Sequence, residues 1–458
     1  MMMNTLDLNF ICNTLKLPAP QHNQTIKRVI IDSRLAQQGD LFVALVGEKH
    51  DAHDFVNDVL AKGALALVSR KDCAHLSGCL KVDNTLIALQ QLSAKWRTQS
   101  QALIFGITGS SGKTTVKEML ANILRTAFGE EAVLATAGNL NNHIGLPLTL
   151  LNLRAHHRFA VIEMGMSGFG ELALLTRLAA PNIALVNNAM SAHIGCGFNG
   201  VADIARAKSE IYQGLTPKQG IAILPKEDKH FAIFQAATEN FTTQTFGLHT
   251  GNVYAQNIVL NDLSSDFILC SGSLKEPVHL PVAGEHNISN ACAAAALALS
   301  GGLSLPQIAQ GLSSFQNIKG RLQNKKGKKN SLILDDTYNA NPDSMKAALN
   351  VLAKLPAPRI FVMGDMGELG EDNAAKMHEE IGIYARDLGI EYAYFVGKHS
   401  IQAAKQFGEN GLWFDEKTPL VASLIQHLPE KASILVKGSR FMQMETIVDA
   451  LLDTVQQK

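Results

Sequence analysis

Short apolar runs alternate with longer amphipathic runs through the middle of the chain. Four of the apolar runs are rich in Ile or Val, and each is followed by a polar or glycine-containing turn: LIFGITG, FAVIEMG, IALVNNA and IAILP. Continuous apolar strands that alternate with helices are typical of a parallel sheet covered on both faces. The pattern therefore predicts an α/β fold with a parallel sheet in the middle of the chain.

The pattern changes on either side of this region. Residues 1 to about 100 mix short strands (RVIIDSR, DLFVALVG, ALALVS) with helical runs such as LIALQQLSAKW, and residues 246–282 predict additional antiparallel strands. After the turn-forming stretch KGRLQNKKGKKN a new strand–helix series begins, with the strands SLILDD, RIFVMGD, AYFVG and SILVKGS. Because 458 residues exceed one ordinary core, we predict three domains at 1–100, 101–318 and 319–458, the first of them a smaller α/β domain.

The charges of the chain are balanced, with 41 basic and 41 acidic side chains. A nucleic-acid surface normally needs a basic face, so we expect no nucleic-acid partner. The basic run Lys325–Lys329 predicts a solvated loop or hairpin tip, and a phosphate contact is the alternative.

Cysteine use and hydropathy bear on the compartment. The six cysteines are scattered without a C-x-x-C pair, which argues against a zinc or disulfide framework and favours a reducing cytoplasm. The start MMMNTLDLNF shows no basic region followed by an apolar one, so we expect no signal peptide. The longest apolar tract, ACAAAALALSGGLSL, is too short to span a bilayer and predicts a buried helix. We therefore expect a cytoplasmic protein without membrane insertion.

The stretch IFGITGSSGKTT joins a predicted strand to a predicted helix through a glycine-rich turn. Backbone N–H groups and the helix dipole at such a junction attract phosphate. The strict P-loop motif requires Gly where Ile107 stands, and a purely structural turn is the alternative interpretation. Lys113 would neutralise phosphate charge, and the Thr114 hydroxyl would bind Mg²⁺. The residues expected to cradle a nucleotide are Gly109, Ser110, Ser111, Gly112, Lys113, Thr114 and Thr115.

Three further residues follow strand ends or lie on the helices between them. Glu163 ends the strand FAVIEMG, at the sheet edge where open α/β sheets bind ligands, and a carboxylate there can hold Mg²⁺ or orient a water. His193 follows the next strand, although a lone loop His is usually structural. Lys208 lies on a predicted helix, where a lysine is normally solvated.

A set of motifs occurs in the order seen in the Mur ligases, and the chain resembles that family over essentially its whole length. The motifs are GITGSSGKTT, VIEMG, AHIG, DIARAKSEI, GEHNISNACAAAA, KGRLQ and DDTYNANPDSM. Others resemble the member of the family that adds a dipeptide: DSR, GDLFVAL, AGNLNNHIGLPLTLL, MGDMGELG and VKGSRFMQME. The family's phosphate loop has the form TGSSGKT, which accounts for Ile107.

The resemblance implies a three-domain, ATP-dependent amide ligase of peptidoglycan precursor synthesis, and hence of cell-wall biogenesis, cell shape and cell division. It implies that the first domain binds UDP-N-acetylmuramoyl-tripeptide and that the central P-loop-type domain binds ATP. The C-terminal Rossmann-like domain would bind D-alanyl-D-alanine. ATP would phosphorylate the tripeptide carboxylate, and the dipeptide amine would then displace phosphate from the acyl phosphate. We expect a monomer, although no residue pattern bears on this.

The resemblance also implies roles for the residues around the phosphates. Lys113 would neutralise the transferring phosphoryl group, and Thr114 with Glu163 would hold Mg²⁺. His193 would bind a second Mg²⁺. Lys208 matches the lysine that family members carbamylate with CO₂, which requires a neutral amine and hence burial.

For the nucleotide, the resemblance implies that Asn287 contacts adenine and Asp336 the ribose. Arg321 would be a domain-bridging phosphate ligand, for which a forked guanidinium is suited. Asn287 also opens the Ala-rich helix, so helix N-capping is the alternative role.

For the other substrates, Ser33 and Arg34 of DSR and Asn139 and Asn142 of GNLNN match the family's UDP-sugar contacts. The dipeptide would be bound by the turn at 338–342 and the segment at 438–445. Within that turn Asn339 and Asn341 would contact substrate, or alternatively nucleotide or the turn itself.

Other functions fit the residues less well. The preceding ligase of the pathway usually carries D-N-P-R in its third domain, and the chain lacks it. Folylpolyglutamate synthase shares the fold but not NLNNHIGLPLTLL. A P-loop GTPase would need N-K-x-D, which is absent, and a structural protein with a vestigial cradle would not need the metal and nucleotide positions.

Overall fold

The computed structural model describes residues 5–191 and 197–453, except the side chains of residues 371 and 372. It contains a four-stranded, a nine-stranded and a six-stranded sheet, which follow one another along the chain. We call these sheets, with the helices packed on them, the first, central and third units. Strands and helices alternate in all three, so the predicted α/β class is confirmed. In the described part of the chain, no helix is both long and apolar enough to cross a membrane.

The first unit is a parallel sheet in the order β1-β2-β3-β4. Its last helix begins after Asn84, whose side chain accepts the amide of Ile87 at 3.0 Å and so caps the helix. The predicted strands RVIIDSR, DLFVALVG and ALALVS each contain one of the observed strands. The elements are α1 (Leu8–Leu15), β1 (Val29–Ile30), β2 (Leu41–Val43), α2 (Val56–Ala61), β3 (Leu65–Val68), β4 (Cys79–Lys81) and α3 (Thr85–Arg97).

Helix α3 packs the first unit against the central one. Its buried residues recur at helical spacing and share one apolar cluster with side chains of the central sheet. Trp96 is only 1% exposed, and its Nε1 donates to the Leu153 carbonyl at 3.2 Å. Arg97 Nε donates to the Ala179 carbonyl at 2.9 Å. The two units therefore have a continuous hydrophobic core.

The central sheet has the order β13-β12-β11-β10-β9-β8-β5-β7-β6. Strands β5 to β10 are parallel, while β11, β12 and β13 pair antiparallel, which confirms the additional strands predicted for residues 246–282. The elements are β5 (Leu103–Thr108), α4 (Lys113–Phe128), β6 (Val133–Ala135), α5 (Gly145–Leu151), β7 (Phe159–Glu163), α6 (Glu171–Ala179), β8 (Ile183–Val186), α7 (Val201–Ser209), β9 (Ile221–Pro225), α8 (Phe231–Ala236), β10 (Thr242–Phe246), β11 (Val253–Leu260), β12 (Ser265–Ser271), β13 (Leu274–Leu280), α9 (Glu285–Ser300) and α10 (Leu305–Ser313).

Strand β5 lies in the middle of this sheet with helices on both faces. Phe105 and Ile107 belong to the core beneath α4, α9 and α10, whereas Ile104 belongs to the core beneath α3, α5 and α6. Burial on both faces explains why the strand is continuously apolar rather than alternating. The chain leaves β5 to one side for β6 and β7 and crosses to the other side for β8, so a crevice opens at the carboxyl end of β5.

The third unit has the order β14-β15-β19-β16-β17-β18, with every pair parallel except β14–β15. Strand β19 lies between β15 and β16, so the loops after these three strands leave the sheet side by side. The elements are β14 (Gln323–Lys326), β15 (Leu332–Asp336), α11 (Pro342–Leu352), β16 (Arg359–Gly364), α12 (Glu371–Asp387), β17 (Tyr392–Val396), α13 (Ser400–Phe407), β18 (Gly411–Phe414), α14 (Lys417–His427), β19 (Ser433–Lys437) and α15 (Glu445–Leu451).

The lysine run at 325–329 lies in the β14–β15 hairpin, as predicted, but its side chains are not simply solvated. Lys325 Nζ lies 2.7 Å from the buried Asp335 carboxylate. Lys328 Nζ donates to the Ala450 carbonyl at 2.6 Å, at the end of α15, where a cation complements the helix dipole. The predicted hairpin is therefore confirmed, with Lys326 and Lys329 exposed, and Lys328 in addition ties the last helix to the edge of the sheet.

Replacement of Trp96 by Ala is expected to lower the free energy of unfolding by about 3–5 kcal/mol, because a large buried ring is lost from the core between two units. Trp96→Phe keeps a ring and loses the bond to Leu153, so its loss should be about 1–2 kcal/mol. Urea unfolding followed by circular dichroism measures both. Equal losses for the two variants would contradict the packing role of the ring.

Candidate active site

The glycine-rich turn at 109–112 lies between β5 and α4, at the crevice of the central sheet. Gly112 has φ of 77°, a left-handed conformation that side chains rarely adopt. A Cβ on Gly112 would collide with Asn290 and Asn187, and one on Gly109 would lie 2.9 Å from Asn187 Cβ. Glycine is required at both positions because neighbouring side chains occupy the space. The first amides of α4 face this turn, as in other anion sites at helix N-termini.

Three asparagines that the sequence did not single out hold the turn in place. Asn187 and Asn188 each donate to the Ser111 carbonyl, at 3.0 and 3.1 Å, and Asn188 Oδ1 accepts the Ser111 amide at 2.9 Å. Asn187 Nδ2 also donates to Asn290 Oδ1 at 2.9 Å, on α9. The available signals were the paired asparagines after β8 and the N-x-x-N spacing at the start of α9.

Lys113 is the first residue of α4, and its Nζ donates to the Gly109 carbonyl at 2.7 Å. Burial lowers the pKa of Lys113, and the negative charge of Glu163 opposes this effect. Arg321 lowers the pKa further, while the charge of Glu368 raises it. The ammonium therefore lies among charges contributed by both the central and the third units.

Glu163 ends β7, beside β5, and is 2% exposed. Its Oε1 accepts from Asn141 Nδ2 at 2.8 Å, while its buried Oε2 has no hydrogen-bond partner among the described residues. A buried carboxylate oxygen without a partner is unfavourable unless a cation binds it. Oxygen ligands of this type suit Mg²⁺, so Glu163 fits the expected ion.

Among the described residues, Glu163 included, no three His, Cys, Asp or Glu side chains gather as a metal site. His193, the expected ligand of a second Mg²⁺, lies outside the described residues. Lys208 lies on α7 and is 1% exposed. Burial lowers the pKa of Lys208 well below its ordinary value, and the charge of Lys113 lowers it further. The expected neutral amine is therefore favoured, and Lys208 is not a solvated helical lysine.

The third unit contributes the opposite wall of the site. Arg321 Nη2 donates to Thr114 Oγ1 at 3.2 Å, and Arg321 Cζ lies over the Tyr338 ring, 4.4 Å from its centroid. Its buried Nε has no partner among the described groups, which leaves a donor for an anion. Ser191 of the central unit donates its amide to Asp343 at 3.1 Å. A cleft of about 190 Å³ lies between the two units.

Asp336 lines this cleft at the carboxyl end of β15. Its carboxylate accepts the Leu322 amide at 3.1 Å and Lys437 Nζ at 2.5 Å. Burial lowers the pKa of Lys437, and Asp336 opposes that shift. Lys437, at the end of β19, was missed by sequence reasoning, although its position at a strand end in SILVKGS was a signal.

Asn287 also lines the cleft, but it does not cap its helix. Gly284 occupies the N-cap position of α9, and Asn287 Nδ2 donates to the Ala283 carbonyl at 2.8 Å. The N-capping interpretation is therefore wrong. Asn290 Nδ2 donates to Asn287 Oδ1 at 3.4 Å. Asn287 is therefore hydrogen-bonded, through Asn290, to the asparagines that hold the phosphate turn.

The residues expected to bind UDP-sugar do not line the nucleotide cleft. Arg34 is exposed and pairs with Asp32 at 2.6 Å. Asn139 and Asn142 are exposed in the loop before α5, where Asn142 Oδ1 accepts the Gly145 amide at 2.8 Å. Lys62 Nζ donates to the backbone carbonyl of Ser33 at 3.0 Å. Neither the pair Ser33 and Arg34 nor the pair Asn139 and Asn142 therefore lies among the residues that line the cleft.

The two asparagines expected to contact the dipeptide have different environments. Asn341 caps α11, since its Oδ1 accepts the Ser344 amide at 2.8 Å. Asn339 is exposed, and its Oδ1 accepts the amide of Ala340 at 2.8 Å. The observed contacts of Asn341 are therefore those of a helix cap, which corresponds to the alternative role in the turn itself.

Known proteins are similar to this chain over nearly its whole length. Residues 107–298 match the family model of the Mur ligase middle domain, and residues 320–440 match that of the Mur ligase, glutamate ligase domain. The chain is 42% identical over 443 residues to the UDP-N-acetylmuramoyl-tripeptide–D-alanyl-D-alanine ligase of Haemophilus influenzae, which covers 95% of each chain.

Solved structures are similar over the same extent. MurF from Acinetobacter baumannii superposes with a TM-score of 0.89 at 39% identity, covering 98% of this chain and 99% of that one. The MurF ligase from Thermotoga maritima in complex with ADP superposes with a TM-score of 0.82 at 26% identity, covering 92% of this chain and 96% of that one.

Gly112→Ala is expected to weaken ADP binding by at least about tenfold, because its Cβ would displace Asn290 and Asn187 in addition to straining the backbone. Gly129→Ala is the matched control. It lies at the other end of α4 with φ of 88° and has nothing within 4 Å of the added Cβ. Isothermal titration calorimetry with ADP measures both variants. Similar affinities for the two would contradict the packing constraint on the turn.

Proposed function

The chain belongs to the Mur ligase family, and on that premise we infer that it joins D-alanyl-D-alanine to the tripeptide carboxylate of UDP-N-acetylmuramoyl-tripeptide. It is an ATP-dependent amide ligase of peptidoglycan precursor synthesis, and the reaction passes through an acyl phosphate. The observation that carries this inference is the cleft in which Arg321 of the third unit reaches Thr114 beside the phosphate turn. ATP in that cleft would contact the central unit and the third unit, to which the dipeptide is assigned.

We propose domain boundaries near residues 100 and 318, with the UDP-sugar bound to the first domain, ATP to the second and the dipeptide to the third. Ser33, Arg34, Asn139 and Asn142 are the proposed contacts for the UDP-sugar. Asn339 and Asn341 are the proposed contacts for the dipeptide, Asn341 through the start of α11 that it caps. The cytoplasm is the proposed compartment, since ATP is available there and the described cysteines are free thiols.

The chemistry begins with two anions that repel each other. An oxygen of the tripeptide carboxylate attacks the γ-phosphorus of ATP, and ADP leaves. Lys113 would exchange the Gly109 carbonyl for γ-phosphate oxygens, and Arg321 would donate through its unpartnered Nε. Both cations are held before substrate arrives, so little reorganisation is needed as charge moves. The dipeptide amine then attacks the acyl carbon, phosphate departs, and the amine loses its proton.

The enzyme uses Mg²⁺, and we propose that Thr114 and Glu163 hold it. Bound there, the ion supplies positive charge against the phosphate oxygens. Asn141 fixes one oxygen of Glu163, and the other is buried without a partner among the described residues. A second Mg²⁺ with His193 and Lys208 is the further proposal. The neutral Lys208 amine would attack CO₂ and lose a proton, which would convert the amine into a carbamate anion able to help hold the metal.

For the nucleoside, we propose that Asn287 contacts adenine and that Asp336 accepts from the ribose hydroxyls. Both residues line the cleft. Asp336 is oriented by hydrogen bonds from the Leu322 amide and Lys437. Asn287 belongs to the hydrogen-bonded asparagines that hold the phosphate turn. This arrangement supports recognition of the base and phosphates by one hydrogen-bonded group of side chains and of the ribose by a second one.

Incubation with ATP, UDP-N-acetylmuramoyl-tripeptide and D-alanyl-D-alanine is expected to give ADP, phosphate and an amide, measured by mass spectrometry. Lys113→Ala should reduce kcat by at least roughly 10²-fold, because a preorganised charge on the transferring phosphoryl group is lost. Turnover with a single amino acid and no dipeptide would refute the substrate assignment. Near-normal activity of Lys113→Ala would refute the role of the phosphate turn.

Lys208→Ala is expected to be nearly inactive and to be partly restored by formate or acetate, which replace the carbamate oxygens. The matched control is Lys218→Ala, an exposed lysine beyond the same helix, which should retain full activity with or without added carboxylate. Steady-state assays across a carboxylate series measure the rescue. A fully active Lys208→Ala enzyme would rule out the carbamate.

A further inference from the structure

Lys117 is a buried lysine to which the proposed mechanism assigns no role. It lies on α4 and is only 1% exposed. Its Nζ donates to the Thr136 carbonyl at 2.7 Å and lies 2.6 Å from the Glu118 carboxylate. Burial of an ammonium is unfavourable unless such acceptors replace the lost water. An apolar side chain of similar length would fill the same space without that cost, so the ammonium is explained by the bonds that it makes.

Lys117 shares a face of its helix with Lys113. The two lysines are four residues apart at the start of α4, which places them one above the other. Lys113 Nζ donates to the Gly109 carbonyl of the phosphate turn, and Lys117 Nζ donates to the Thr136 carbonyl just after β6. One helix therefore contacts the phosphate turn with its first residue and a second loop one turn later.

The second loop comprises residues 137–143, between β6 and α5, and we call it the asparagine loop. Asn141 faces the interior, where its Nδ2 donates to Glu163 Oε1 at 2.8 Å. Asn139 and Asn142, the proposed UDP-sugar contacts, are exposed. The loop thus has an inner side that holds the carboxylate at the end of β7 and an outer side that is free for a ligand.

Thr136 anchors the start of the asparagine loop. It is 1% exposed, its Oγ1 accepts the Glu163 amide at 3.0 Å, and its own amide donates to the Val161 carbonyl at 3.0 Å. These two bonds tie Thr136 to β7, and the bond from Lys117 ties it to α4. The Lys117 ammonium therefore orients the peptide group with which the loop begins.

The asparagine loop lies where the first unit meets the central one. Gln90 of α3 donates from Nε2 to the His143 carbonyl at 3.1 Å. Leu89 of α3 and Leu150 of α5 belong to one apolar cluster. A substrate whose UDP end is bound to the first domain has to cross this junction before its carboxylate can reach the phosphate turn.

We propose that Lys117 is a positioning residue for UDP-N-acetylmuramoyl-tripeptide. Through the Thr136 carbonyl it holds the asparagine loop in a fixed position relative to the phosphate turn, so that the sugar-peptide is aligned with ATP. The inference rests on the proposed function and deepens it, since it names a group that sets where the first substrate binds. A loop that is fixed before binding loses little entropy when substrate arrives.

The test uses Lys117→Met, which removes the ammonium and keeps an unbranched side chain of similar length. KM for UDP-N-acetylmuramoyl-tripeptide should rise by about tenfold, because a charge-assisted bond that holds the loop is lost. The dissociation constant of ADP, measured by calorimetry without added Mg²⁺, should stay within about twofold, since the phosphate turn is untouched. KM for D-alanyl-D-alanine should also stay within about twofold. Lys117→Gln, which keeps an N–H donor, should recover part of the lost affinity.

Lys328→Met is the matched control, because Lys328 Nζ also donates to a backbone carbonyl, that of Ala450 in the third unit. It should leave every KM unchanged. Circular dichroism identifies the variants that are folded, and if Lys117→Met is not, Lys117→Gln decides by the same measurements. An unchanged KM for UDP-N-acetylmuramoyl-tripeptide in the folded variant would overturn the proposal.

An equal loss of ADP affinity would also overturn it, since Lys117 would then support α4 as a whole rather than the asparagine loop. Failure of the proposed function is distinct from both results. In that case the unmodified enzyme would not turn over UDP-N-acetylmuramoyl-tripeptide, whereas failure of this inference alone leaves the unmodified enzyme active.

Discussion

The hydrogen bonds that Asn187 and Asn188 make with Ser111 are the constraint on which the rest of the site depends. They fix the phosphate turn against the end of β8, and through Asn290 they fix it against α9 as well. The side chains of Asn187 and Asn290 occupy the space that a Cβ on Gly112 would need. Because the turn cannot shift, the first residue of α4 is held at one point of the crevice, and charges from the third unit can be arranged around it.

Local patterns in the sequence were sufficient for the strands, the phosphate turn and the carboxylate at the end of β7, because each has a recognisable spacing. They were insufficient for Asn187, Asn290 and Lys437, whose roles arise only when separate elements pack together. An asparagine pair after a strand looks like any turn, and a strand-ending lysine looks solvated. The expected cap at Asn287 failed for a related reason, since Gly284 begins the helix three residues earlier.

Electrostatics in the cleft follow from which unit supplies each charge. The central unit provides Lys113 and the buried carboxylate Glu163, and the third unit provides Arg321 and the ion pair of Lys437 with Asp336. Neither unit alone carries the complete set. A reaction that needs several cations around phosphate is therefore possible only where the edges of the two units meet.

The continuous core beneath α3 has a consequence for motion. Sliding the first unit over the central one would expose the ring of Trp96 and its neighbours, at roughly 25 cal/mol for every Å² of apolar surface. The third unit meets the phosphate turn through exchangeable polar contacts, Arg321 with Thr114 and Asp343 with Ser191. The contact of the first and central units is therefore mainly apolar, whereas the contacts of the third unit at the phosphate turn are polar. A nucleotide bound on both sides of the cleft would add to these polar contacts and hold the central and third units together.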